Sequence, residues 1–311
     1  MRFGRTQSLG VRDMPSVRKA AELRQGHIAL VVSNDAGRRS FTVQAVGVIL
    51  LVAGADLSVL HEWRIQNEAE GWGCHSIKED GLLAILSTPD AVRLVEPDGS
   101  IRWSFGHASW AGIGSGCAWF DEKGRPFAVV PATDGTACRV VALDGETGAL
   151  LDEARVEPED PSGMSPVHQP DGWVGVAEAE GENASRAWWI RRSNHHLDLV
   201  VATRDDEHLL DVDAAGRQII TTTLTGGIIR TRSFPELDLL REIRIPNENF
   251  ILGACFVRKY IVARLYYREV TVAIDERAQI VELDVDDGWL VPAAGSWLSV
   301  SDDAIRRWSF A

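Results

Sequence analysis

A cysteine and a histidine stand side by side in GWGCHSIKEDGLLAIL, residues 71–86. An imidazole can activate a neighbouring thiol as a nucleophile, and the two groups can also bind a metal ion together. No fuller catalytic pattern accompanies the pair, because the sequence contains no GxSxG elbow, HExxH run, phosphate-binding glycine loop or CxxC spacing. We therefore expect reduced cysteines, with Cys74, Cys117 and Cys255 acting as small packing residues.

Histidines offer a second possibility, a metal site. The candidates are His75, His107, His168 and His208, each within or just before an apolar segment. Imidazoles combined with carboxylates bind transition metals, and such a site would suit a metal-dependent hydrolase or lyase. The four histidines come from separate segments without the spacing of a helical metal motif, so no metal and no other cofactor is assigned.

A third group of residues suits binding rather than catalysis. Tryptophans and carboxylates recur in the connections between apolar segments: Trp72, Trp110, Trp289, Glu68, Glu70, Asp205, Glu248, Asp286 and Asp287. Aromatic rings surrounded by carboxylates attract cations through cation–π and Coulomb interactions. The alternative is that the tryptophans pack the connections together while the carboxylates are only solvated.

A sequence repeat positions these residues. Six copies have a glycine followed by an apolar strand, and the glycines are Gly47, Gly81, Gly124, Gly172, Gly216 and Gly295. A further copy around Cys255 tightens the turn to Arg258-Lys259 and has no glycine. Most copies continue with two more segments in which apolar and polar residues alternate, as in strands with one buried face. The repeat predicts seven four-stranded blades.

Three stretches of the repeat resemble known families. DDAIRRWSF (302–310) resembles the end of the third strand of a WD40 repeat, and VVALDGETGALLDEARV (140–156) resembles a quinoprotein (PQQ-repeat) unit. VHQPDGWVGVAEAEGENASRAWWIR (167–191) is similar to uncharacterised WD40-like proteins of actinobacteria. These resemblances imply the architecture of a seven-bladed β-propeller, and they imply no activity or substrate.

The sequence thus predicts an all-β, seven-bladed β-propeller over residues 26–311, with a short basic extension over residues 1–25. The last copy stops after its third strand, and HIALVVS (27–33) is a spare strand near the start. We expect HIALVVS to pair with the last copy and close the ring, which removes open sheet edges. The extension is expected to be disordered or to form a short helix over residues 15–24.

Propeller topology brings the candidate carboxylates to one face, because the connections from the fourth strand of one blade to the first strand of the next lie together. The first hypothesis is a non-catalytic binding or scaffold module that holds a basic protein segment or a cationic small molecule on this acidic face. The second is a metal-dependent hydrolase or lyase with its active site at the mouth of the central channel.

Composition limits the partners. The chain has 311 residues, 45% of them hydrophobic, and a net charge of −13, which disfavours nucleic acid as the main partner. No apolar stretch approaches the ~18 residues that a membrane helix needs, and the N-terminus lacks the pattern of a signal peptide. We expect a cytoplasmic protein with a protein or peptide partner, no nucleic acid and no membrane.

Overall fold

The computed structural model describes residues 16–34, 39–64, 73–110, 116–121, 123–135, 137–158, 163–167, 172–178, 186–193, 196–203, 207–213, 215, 217–223, 226–247 and 250–311. The regular elements of these residues are strands, with no helix among them, and so none that is long and apolar enough to cross a membrane. The 28 strands form seven sheets of four, each strand antiparallel to its neighbours. The predicted all-β, seven-bladed β-propeller is confirmed.

The first four blades follow one another along the chain, each from its innermost to its outermost strand. Blade 1 contains β2 (Ile28–Ser33), β3 (Ser40–Ala45), β4 (Val48–Ala53) and β5 (Val59–Arg64). Blade 2 contains β6 (Ser76–Ile77), β7 (Ala84–Ser87), β8 (Ala91–Val95) and β9 (Ile101–Gly106). Blade 3 contains β10 (Ala118–Phe120), β11 (Pro126–Pro131), β12 (Cys138–Leu143) and β13 (Leu150–Val156). Blade 4 contains β14 (Met164–Pro166), β15 (Trp173–Glu178), β16 (Ala187–Ser193) and β17 (His196–Ala202).

The last three blades complete the ring. Blade 5 contains β18 (Glu207–Asp213), β19 (Gln218–Thr223), β20 (Ile228–Ser233) and β21 (Leu239–Arg244). Blade 6 contains β22 (Ile251–Val257), β23 (Tyr260–Leu265), β24 (Thr271–Ile274) and β25 (Ile280–Leu283). Blade 7 contains β26 (Trp289–Ala293), β27 (Ser296–Val300) and β28 (Ala304–Phe310), with β1 (Val17–Arg24) as its outermost strand.

The ring is closed by a different N-terminal strand from the one that we expected. Strand β1 pairs with β28 from Val17 opposite Phe310 to Arg24 opposite Ala304, whereas residues 28–33 form the innermost strand of blade 1. The helix expected over residues 15–24 is therefore wrong for Val17–Arg24, and this segment belongs to the propeller. Pairing with the edge of β28 satisfies backbone N–H and C=O groups of Val17–Arg24. This gain outweighs the local preference of the segment for helix.

The turn glycines confirm most of the repeat and correct its first copy. Gly81, Gly124, Gly172 and Gly295 follow the first strand of their blades with positive φ, and Arg258 takes the same role in blade 6 with a φ of 57°. Gly47 also has positive φ, but it connects the second and third strands of blade 1. Tight hairpins of either kind favour positive φ, so glycine marks a hairpin without saying which one. Gly216 lies outside the described residues.

Apolar side chains of neighbouring blades pack face to face and form the core. Between blades 6 and 7, for example, Val262 shares a buried cluster with Trp297 and Trp308. The four cysteines are buried in this core and form no disulfide. The backbones of Cys74 and Cys117 form a parallel β-bridge that joins the innermost segments of blades 2 and 3. Both side chains lie in one buried apolar cluster, which confirms their predicted role in packing.

Candidate functional site

The predicted site residues that the structure describes lie in, or next to, the connections on one face of the ring. Because the innermost segments of neighbouring blades run parallel, as the bridge between Cys74 and Cys117 shows, each blade is entered from the same side. We call this side the entry face. Among the described residues, it consists of the turns between second and third strands and of the parts of the connections into blades 2–7 at residues 73–75, 107–110, 116–117, 157–158, 163, 203, 245–247, 250 and 284–288.

Six of the predicted site residues lie outside the described residues, and seven lie within them. The predicted residues outside the described part are Glu68, Glu70, Trp72, His168, Asp205 and Glu248. The described members are the tryptophans Trp110 and Trp289, the acids Asp286 and Asp287, and the histidines His75, His107 and His208. The structure does not bring these seven residues together, because they belong to different blades and differ in exposure.

The two described tryptophans have different environments. Trp110 is buried in the core cluster between blades 3 and 4, and its ring lies so close to Gly116 that a Cβ there would stand 2.8 Å from it. Trp110 is therefore a packing residue, as the alternative to a binding role had it. Trp289 begins the innermost strand of blade 7 and is 55% exposed, so its ring is available to a partner.

Asp286 and Asp287 precede Trp289, and each carboxylate pairs with an arginine. Asp286 lies 3.0 Å from the Nε of Arg306, and Asp287 lies 2.8 Å from Arg264. The Arg264 side chain is only 8% exposed, whereas that of Asp287 is 78% exposed. The Arg306 side chain is 15% exposed against 50% for Asp286. The positive charges thus lie below the surface, and the negative charges are presented to solvent.

The described histidines do not assemble a metal site. His75 is buried, and its Nδ1 accepts a hydrogen bond of 3.0 Å from the backbone N–H of Ser87. Burial lowers the pKa of His107 and of His208, which favours neutral rings. Within the described ranges, no group of three or more His, Cys, Asp or Glu side chains could hold a metal ion.

Thiol chemistry finds no support in the geometry either. Burial raises the pKa of Cys74 and of Cys138 to about 12, and it raises that of Cys117 well above the ordinary value of a thiol. The thiolate is the reactive form of cysteine, so these side chains are inert at neutral pH. The adjacent Cys74 and His75 are parts of a blade.

The opposite face carries a groove between blades 1, 2 and 3. Its volume is about 440 Å³, and its lining includes Asn34, Lys78, Asp80 and Lys123. The side chain of Lys78 extends over Gly124, since a Cβ on Gly124 would stand 2.7 Å from the Cε of Lys78. The ammonium of Lys78 lies 3.3 Å from the carboxylate of Asp80. Charges of both signs line the groove, so its electrostatics favour neither an anion nor a cation.

Sequence reasoning missed two exposed aromatic residues on the entry face. Tyr266 and Tyr267 occupy the turn between β23 and β24, and they are 52% and 65% exposed. The ring of Tyr266 meets that of Phe250 edge to face at 5.9 Å, and that of Tyr267 in the same way at 5.2 Å. The available signal was the Tyr-Tyr dipeptide itself, since two adjacent aromatics in a tight turn cannot both point into the core.

Comparisons with known proteins show the fold alone. No family model and no curated protein matches the chain. BamB from Moraxella catarrhalis has a similar solved structure, with a TM-score of 0.56, 14% identity, and coverage of 94% of this chain and 98% of BamB. The β-propeller domain of Cps50 (Swd1) from Myceliophteria thermophila is also similar, with a TM-score of 0.61 and 13% identity. The match covers 96% of this chain and 100% of that domain. Both support a propeller, and the likeness to quinoprotein-type repeats and to actinobacterial proteins stays a prediction.

Proposed function

We propose that this chain is a non-catalytic binding propeller that uses its acidic entry face to hold a basic segment of a partner protein. One observation carries the proposal: exposed Trp289 follows two exposed carboxylates whose arginine partners lie beneath them. Such a surface offers apolar contact area together with negative potential, and that combination selects cationic partners.

Supporting charges extend along the same connection. Asp284, two residues before Asp286, is also exposed. The whole chain is also acidic, with a net charge of −13. Long-range attraction therefore adds to the local contacts at low ionic strength. We also propose a cytoplasmic location, where the four free thiols would remain reduced.

The proposal is tested by binding of designed peptides to the purified chain. A basic peptide of about ten residues should bind, and an acidic peptide of the same length should not, with affinity falling several-fold between about 50 and about 300 mM salt. Replacing Asp284 and Asp286 by Asn should weaken binding of the basic peptide. Equal binding of the two peptides, or binding of neither, would refute the proposed function.

A matched control removes one charge from the opposite face. Glu146 lies in the turn between β12 and β13 with its side chain 86% exposed, and Glu146→Gln should leave the affinity unchanged. A loss as large as that caused by Asp284→Asn alone would mean that net charge, and not the entry face, determines binding. A small organic cation that competes fully with the peptide would instead indicate a cationic small molecule as the ligand.

A further inference from the structure

The exposed aromatic side chains of the described residues are confined to one sector of the ring. The large aromatics with more than half of their surface exposed are Tyr266, Tyr267 and Trp289, which belong to blades 6 and 7. The other exposed large hydrophobics in the described residues are aliphatic, and most of them lie on outermost strands. Tyrosine and tryptophan are the residues most often found to dominate binding energy at protein interfaces.

Contacts between blades 6 and 7 place these aromatics on neighbouring parts of the entry face. The ion pair of Arg264 with Asp287, at 2.8 Å, links a point two residues before Tyr266 to a point two residues before Trp289. The innermost strands of the two blades also touch, since a Cβ on Gly253 would lie 3.3 Å from the Cβ of Leu290. Trp289 and the two tyrosines thus lie on neighbouring blades of the same face.

Hydrogen bonding and ring contacts hold the tyrosine turn in place. The backbone N–H of Tyr266 donates to the carbonyl oxygen of Phe250 at 3.2 Å, and the ring of Phe250 packs edge to face against that of Tyr266. Arg268, in the same turn, forms an ion pair with Glu282. Rigid aromatic side chains lose little conformational entropy when a partner binds.

We propose that Tyr266, Tyr267, Trp289, Asp286 and Asp287 form an arginine-binding patch, which recognises arginine side chains in the basic segment. This inference rests on the proposed function and specifies its partner. A guanidinium group stacks on aromatic faces and pairs with carboxylates in a planar, bidentate geometry. The ammonium of lysine is more strongly hydrated and offers only a point charge, so the patch favours arginine over lysine at equal peptide charge.

The test compares two peptides that differ only in the basic residue. An arginine peptide and a lysine peptide of the same length and charge are titrated against the full chain by calorimetry. The arginine peptide should bind roughly tenfold more tightly, and Trp289→Leu should weaken it by about tenfold while reducing the preference for arginine. Leucine retains apolar area and loses the aromatic face, so the variant isolates the cation–π contribution. Tyr267→Leu should act in the same direction.

Controls separate this inference from the proposed function. Glu157→Gln removes an exposed charge from the entry face between blades 3 and 4, and it should leave the arginine preference unchanged. The arginine-binding patch would be refuted if wild type bound the two peptides with equal affinity. It would also be refuted if Glu157→Gln and Asp287→Asn changed the preference for arginine by the same amount. Either result would leave a general acidic binding face. Absence of binding by both peptides would overturn the proposed function as well. Unchanged thermal melting of each variant shows that the affinities refer to folded protein.

Discussion

Glu207 is a single carboxylate that holds several parts of blade 5 together. Its side chain is fully buried at the start of β18, and its oxygens accept hydrogen bonds from Arg230, Arg232 and the hydroxyl of Thr221. Burial alone would raise the pKa of Glu207, but the hydrogen bonds from these three side chains outweigh it and lower that pKa below 4.5. The carboxylate is therefore charged at neutral pH and pairs with two arginines, Arg230 and Arg232.

Glu207→Gln should lower the free energy of unfolding by about 3–5 kcal/mol, because it leaves guanidinium charge near the core without its counter-charge. The matched control is Glu242→Gln, which removes a half-exposed carboxylate that pairs with the same Arg230 at 2.9 Å. That change should cost less than about 1 kcal/mol. Denaturant unfolding of the two variants checks the difference, and equal costs would contradict the assignment of Glu207 as the central charge.

The pH dependence of the free energy of unfolding provides a second test of the role of Glu207. Because the pKa of Glu207 is lowered in the folded state, its contribution is present above the ordinary value of 4.5 and is lost as the pH falls through 4.5 toward the folded pKa. Wild type should lose this part of its stability in that acidic window. Glu207→Gln should lack the corresponding slope, so the two stability curves should converge as the pH falls.

At the scale of elements, strand β1 shows what a single sequence hides. The segment VRKAAELR is rich in good helix formers and was expected to be helical or disordered. In the structure seven of its eight residues pair with β28, with a bulge between Lys19 and Ala21, and the backbone N–H of Ala311 donates to the carbonyl of Ser16 beyond them. The partner strand lies almost three hundred residues away, so local propensity could not reveal the pairing.

Turn chemistry, in contrast, was readable. The glycines at 81, 124, 172 and 295 marked hairpins whose positive φ favours glycine, and the apolar runs after them became the second strands of their blades. Gly47 was misread because both hairpins of a blade can require the same conformation. At the site, Trp110 and Trp289 looked alike in sequence, and only packing across blades determines which of them is exposed.

Deleting residues 1–25 should destabilise the whole ring, since blade 7 would keep only three strands. Val17 packs with the cluster between blades 6 and 7, and Ala21 and Leu23 pack with that between blades 7 and 1. Losing these contacts and one hydrogen-bonded strand should lower Tm by roughly 10 °C or more. Deleting only residues 1–15 keeps β1, so it should lower Tm by less than the longer deletion. Calorimetric melting checks both, and equal Tm values for the two deletions would contradict closure by β1.

At the scale of the whole molecule, ring closure means that each blade packs against two neighbouring blades and is stabilised by both. The core clusters lie between sheets, and Phe41 of blade 1, for example, shares a buried cluster with Leu298 of blade 7. Opening one seam exposes apolar surface on two blades. The entry face depends on the same seams, because the ion pair of Arg264 with Asp287 crosses from blade 6 to the connection that enters blade 7.

The buried thiols report whether the ring opens as a unit. Cys74, Cys117 and Cys138 lie in blades 2 and 3, and Cys255 lies in blade 6. Burial and the raised pKa values of the first three predict that native protein reacts with a thiol reagent far more slowly than denatured protein. If opening is cooperative, Cys138 and Cys255 should be labelled at the same rate in mild denaturant, because both become accessible only when the whole ring opens. Labelling resolved by peptide mass measures this directly. Deletion of residues 1–25 should accelerate both sites by the same factor, and much faster labelling of Cys255 alone would show that the blades open one at a time.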